Sequence, residues 1–216
     1  MVWCRFAAIR NIERVVKGMA KHDQQGNPLH PLISHLDTKS IVLVGMPGSG
    51  KSSVGRRLAQ RLNLQFVDSD TKIEEAAGGM SVSDIFARHG EPEFRSLEAR
   101  VITRLLENGP TVIATGGGAF VNVDTRSLIG RYGLSIWLKA DIEILLRRVK
   151  RKNDRPLLSG NNPEDVLKRL LAERESAYEK ADITVISREA PHESVVDAII
   201  EELEKYFSGH PVEFKS

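Results

Sequence analysis

Ser40-Ile41-Val42-Leu43-Val44-Gly45-Met46-Pro47-Gly48-Ser49-Gly50-Lys51-Ser52-Ser53 is the stretch that decides the fold. Its apolar, β-branched run at 41–44 stops at a glycine, which predicts a buried parallel strand. Val54, Leu58 and Leu62 then recur every four residues and predict a helix over 51–62. Between them stands G-x-x-x-x-G-K-S, a phosphate-binding loop in the strand-to-helix context that gives the motif its meaning. The glycines let successive backbone N–H groups face a phosphate, and the helix N-terminus adds partial positive charge. Gly48, Ser49, Gly50 and Ser53 are expected around the phosphates of a nucleotide. Lys51 can bridge the outer ones, and Ser52 can ligate Mg²⁺.

The pattern continues outward from that unit. Strands are expected at 65–67, 111–115, 134–138 and 183–186. Helices are expected at 71–77, 83–89, 92–107, 124–131, 141–151, 163–180 and 192–206. Strands alternating with helices imply an α/β fold, a parallel sheet covered on both faces. Residues 1–38 differ. An apolar face at Ile9, Ile12, Val15 and Val16 allows a short helix over 5–17, and Gly26, Asn27, Pro28 and Pro31 then break any regular element. This segment is read as an N-terminal tail, with an upstream start ahead of Met19 or a transit peptide as the alternatives. The domain is expected over 39–207, with a tail at 208–216.

The 216 residues suit one domain, and 41% hydrophobic with 28% charged residues is an ordinary globular mix. The longest unbroken aliphatic run, 41–44, is far short of the about 20 residues that cross a membrane. Cys4 is the single cysteine, which excludes an internal disulfide and a cysteine-rich metal site. Of the net charge of +2, residues 1–40 carry +3 and the rest −1, so no general nucleic-acid-binding surface is indicated.

Asp68 and Asp70 end the second strand, where ligands of open parallel sheets gather. One can hold a metal or its water and the other can accept a proton from a substrate hydroxyl; the bland alternative makes Asp70 a helix cap. Gly116, Gly117 and Gly118 follow the third strand and allow close approach of a ligand. Arg95 and Arg174 lie on apolar helical stripes, where a cation requires an anion. A substrate carboxylate would supply it, as would an internal pair with Glu91, Glu98 or Glu173. Arg155, in a polar loop at 152–162, can close on a phosphoryl group.

In order, the phosphate loop, Asp68-Ser69-Asp70, Phe94-Arg95, Gly116-Gly117-Gly118, Arg155-Pro156-Leu157-Leu158 and Arg174-x-x-x-Tyr178 resemble the shikimate kinase family over about residues 38–207. The resemblance implies a nucleoside-monophosphate-kinase-like sandwich with a five-stranded sheet of order 2-3-1-4-5 and a mobile lid. It implies transfer of the γ-phosphoryl of ATP, with Mg²⁺, to the 3-hydroxyl of shikimate in aromatic amino-acid biosynthesis, by a cytoplasmic monomer. Asp70, Arg95, Gly116, Gly117, Gly118 and Arg174 would bind shikimate. Lys51, Asp70 and Arg155 would be catalytic, with Ser52 and Asp68 on the metal side. Arg148 would pack on adenine, joined by a contact near 187–191. A Walker B aspartate is absent after the third strand, where Ala114-Thr115 stand, a departure the family shares. A different kinase of this fold, such as gluconate kinase, and a silent nucleotide-binding module are the competing readings.

Overall fold

The computed structural model describes residues 30–150 and 162–209. The expected helix at 5–17, Arg155 with most of its loop, and residues 210–216 lie outside the described residues. Five parallel strands, β1 (Ser40–Val44), β2 (Gln65–Asp68), β3 (Thr111–Ala114), β4 (Gly133–Lys139) and β5 (Ile183–Ile186), run in the order β2-β3-β1-β4-β5. β1 is central: Val42 sits opposite Ile113 on one side and Ser135 on the other. The helices are α1 (Ile33–Leu36), α2 (Lys51–Leu62), α3 (Ser69–Ala76), α4 (Val82–Glu107), α5 (Val123–Tyr132), α6 (Ile142–Lys150), α7 (Pro163–Tyr178) and α8 (His192–Gly209). None is long and apolar enough to cross a membrane among the described residues.

The two-residue period of β1 divides the core. Ile41 and Leu43 pack with Val54, Leu58 and Leu62 of α2 and with Val196 and Ile199 of α8. Val42 and Val44 join the opposite layer, with Ile102 of α4, Ile129 of α5 and Leu167 of α7. A third cluster, Ile73, Ile85, Phe94 and Val101, ties α3 to α4 beside the sheet. The expected helices at 83–89 and 92–107 form one span interrupted at Gly90, whose φ of 79° and ψ of 174° are not helical; Pro92 follows the break and needs no hydrogen-bond acceptor there.

The packed body reaches back past residue 39. Leu32, Ile33 and Leu36 are buried in the α2–α8 layer, and His35 stacks on Phe207 of α8 with ring centroids 5.4 Å apart. α3 begins at Ser69 rather than 71, because its cap is Asp68, two residues before Asp70.

Candidate active site

Four of the five strand ends feed one cluster. β1 runs into the phosphate loop, in which Gly45, Gly48 and Gly50 adopt positive φ. Gly45, at φ +136°, lies so close to β4 that a Cβ would come within 2.9 Å of the Leu138 carbonyl oxygen. Only glycine fits that turn. Gly50 caps α2, and Lys51 opens it. The Lys51 ammonium curls back over the loop and donates to the carbonyls of Gly45 at 2.8 Å and Met46 at 3.0 Å.

β2 delivers the two aspartates. The helix cap is Asp68, whose Oδ1 accepts from the Asp70 N–H at 3.1 Å. The capping alternative for Asp70 is thereby corrected: a carboxylate two residues earlier already serves the exposed N–H groups, and Asp70 sits in the first turn. The other Asp68 oxygen, Oδ2, accepts from the Ser52 hydroxyl at 2.7 Å. The motif's serine and the strand-end acid are thus neighbours.

β3 delivers the triple glycine, and the three glycines face three side chains in turn. A Cβ on Gly116 would stand 2.8 Å from Asp70 Oδ1 and 3.1 Å from Glu98 Oε1. One on Gly117 would stand 3.1 Å from an Arg174 guanidinium nitrogen. One on Gly118 would overlap the Arg95 guanidinium, with Cζ at 2.8 Å. The Gly116 N–H is fixed by the Ser69 hydroxyl at 3.1 Å, and the Gly117 carbonyl accepts from the Tyr178 hydroxyl.

Arg95 has an internal anion. Its guanidinium donates to Glu98 Oε2 at 2.7 Å and to Glu91 Oε1 at 3.2 Å. Glu98 is 1% exposed, and its other oxygen has no hydrogen-bond partner among the described residues. Burial holds the Glu98 carboxyl above the ordinary carboxylate range, against the pull of Arg95; Asp70 pushes the same way as burial and Arg174 opposes it. For Arg95, burial acts to lower the pKa, and the contacts with Glu98 and Glu91 outweigh it, so the guanidinium stays charged.

The nucleotide side is closed by α6 and the segment after β5. Arg148 donates to the Ser187 hydroxyl at 2.9 Å, the Ser49 carbonyl at 3.3 Å and the Arg188 carbonyl at 2.7 Å. Ser187 is fully buried and donates in turn to the Ser49 carbonyl at 2.9 Å. This network fastens the expected adenine-side residues to the loop itself. Ser53 lies one turn into α2, and its carbonyl accepts from Arg57. Sequence reasoning touched on two contributors without assigning them a role. Glu98 entered only as an alternative partner of Arg95, although its i+3 spacing on one helix was the signal. Ser187 fell in the stretch 187–191 where the resemblance implies an adenine contact, without being singled out from its neighbours.

The profile of the shikimate kinase family matches residues 47–204. The shikimate kinase of Bradyrhizobium diazoefficiens is 54% identical over 185 residues, spanning 86% of this chain and 89% of that relative. The solved structure described as shikimate kinase from Acinetobacter baumannii in complex with shikimate has a TM-score of 0.76 at 33% identity, covering 84% of this chain and 100% of that one. A gluconokinase structure from Sinorhizobium meliloti, 19% identical with a TM-score of 0.52 over 80% of this chain and 98% of its own, shares the fold alone.

Proposed function

We propose a division of labour for a chain that belongs to the shikimate kinase family and is therefore an ATP-dependent kinase of shikimate in aromatic biosynthesis. The observation that carries it is the triple glycine facing Asp70, Arg174 and Arg95 in succession. Two cations and one carboxylate around a surface without side chains suit a small ligand bearing an anion at one end and hydroxyls at the other. Arg95 and Arg174 grip the shikimate carboxylate. Asp70 takes hydrogen bonds from the ring hydroxyls and accepts the proton of the 3-hydroxyl as its oxygen attacks the γ-phosphorus. The new O–P bond forms as the bond to the β-phosphate oxygen breaks, and ADP leaves.

Gly48, Ser49, Gly50, Lys51, Ser52 and Ser53 bind the phosphates, and Arg148 lies on the adenine side. Lys51 and Arg155 stabilise the transferring phosphoryl, whose charge spreads over its equatorial oxygens. The donor chemistry at Ser52 and Asp68 fits Mg²⁺: a hydroxyl and a carboxylate oxygen 2.7 Å apart are hard ligands, and Mg²⁺ takes few protein donors alongside phosphate and water. When bound, the ion neutralises charge on the β- and γ-phosphates. Glu98 fixes the Arg95 guanidinium beside Gly118. A monomer in the cytoplasm, without nucleic acid or membrane, completes the reading.

Phosphorus–proton correlation NMR on the reaction product tests it. The reading expects the phosphate coupled to the proton on C3 and no product after removal of divalent cations by EDTA. Coupling to C4 or C5, or full turnover in EDTA, refutes it.

A further inference from the structure

The Tyr178 side chain does two different things. Its ring fills the core: the residue is 0% exposed, and the ring stacks on Trp137 of β4 at 5.8 Å between centroids. A phenylalanine ring would fill that space equally well. The hydroxyl, in contrast, points to the substrate side. It donates to the carbonyl of Gly117, the middle glycine of the triple. Arg174 lies four residues earlier on the same helix, α7, and its positive charge opposes the rise in the phenol pKa. A Cβ on Gly117 would stand 3.1 Å from that same guanidinium. The phenol oxygen therefore anchors the same glycine backbone that the Arg174 guanidinium lies against.

We propose that the Tyr178 hydroxyl is a positioning group for the acidic end of the substrate, holding the Arg174 guanidinium in register with the Gly117 backbone. It touches neither the reacting oxygen nor the phosphoryl group and acts through Arg174. An arginine side chain has several rotatable bonds, and fixing the backbone wall it lies against lowers the ordering cost of ligand binding. The planar guanidinium then presents its N–H fork to a carboxylate. Burial raises the phenol pKa against the influence of Arg174 and Arg95, so the hydroxyl remains protonated and able to donate. This inference rests on the kinase reading above.

The test is steady-state kinetics of full-length wild type, Tyr178→Phe, Arg174→Lys and the double variant, each with a thermal melt. Tyr178→Phe should raise the KM for shikimate about five- to tenfold, the size of one lost hydrogen bond between neutral groups. The KM for ATP should stay unchanged and kcat should stay within about twofold. In the Arg174→Lys background the same substitution should add little, because the two residues act as one unit. A lowered melting temperature with an unchanged shikimate KM marks a core residue only and overturns the proposal. So does an equal rise in both KM values, or a full multiplicative effect in the double variant. A wild type without shikimate-dependent turnover overturns the kinase reading and this inference with it; an active wild type with an indistinguishable Tyr178→Phe overturns the inference alone.

Discussion

Removing residues 1–38 should destabilise the protein severely compared with removing 1–29 alone. The boundary falls between the two because Leu32, Ile33 and Leu36 are each no more than 4% exposed and pack in the α2–α8 layer. Full burial of such a side chain stabilises by about 1.5–3 kcal/mol. Three of them sum to about 4.5–9 kcal/mol, and a compact denatured ensemble reduces this by roughly 10–40%. The loss is then at least about 3 kcal/mol, a large part of the about 5–15 kcal/mol that holds a domain together. For a chain of this size each kcal/mol moves the midpoint by about 2–4 °C, so the shorter variant should melt at least about 6 °C below the full chain. The same layer supports α2, which carries Lys51 and Ser52, so turnover should fall near the melt and survive at low temperature. Calorimetry of the three proteins reads the difference. A 1–38 deletion melting within 2 °C of the full chain would refute the burial argument.

Arg174→Ala should mainly raise the KM for shikimate, because a carboxylate keeps its charge through the reaction, while Arg155→Ala should mainly lower kcat; the reverse pattern contradicts both roles. Gly118→Ala should displace the Arg95 guanidinium, which lies within 2.8 Å of the added carbon, and raise the shikimate KM at least about tenfold with little change in melting temperature; an unchanged KM would show that Arg95 has room to spare. Glu98 has a folded-state pKa above the ordinary carboxylate value. Its contribution is complete below the unfolded value near about 4.3 and is lost as pH rises through the raised folded value. The melting temperature of wild type minus that of Glu98→Gln should therefore fall from pH 4 to pH 8, and a difference that grows would reverse the sign of the burial effect.

The strand order was legible only through the family resemblance, whereas the location of the candidate site was legible because one motif anchors it. A phosphate loop between an aliphatic strand and a helix with four-residue spacing fixes β1 and α2, and the glycines and aspartates mark the ends of β3 and β2. α1 was not legible: Ile33 and Leu36 form a single turn, too short for periodicity, just after Pro28 and Pro31. The cap of α3 was misplaced because Asp68 and Asp70 are equally good capping residues, and only the geometry shows which oxygen meets which N–H. Arg95 posed the question of its anion correctly, but sequence could not choose between substrate and protein. The structure places Glu98 against it. Burial of that carboxylate depends on how α4 lies beside the sheet, a tertiary property.

The most direct test of the central claim is ADP release by the purified full chain with Mg·ATP, measured side by side with shikimate and with gluconate. Two guanidinium groups and Asp70 around three glycines should give shikimate-dependent turnover far above the gluconate rate. Release with gluconate and none with shikimate would contradict the account.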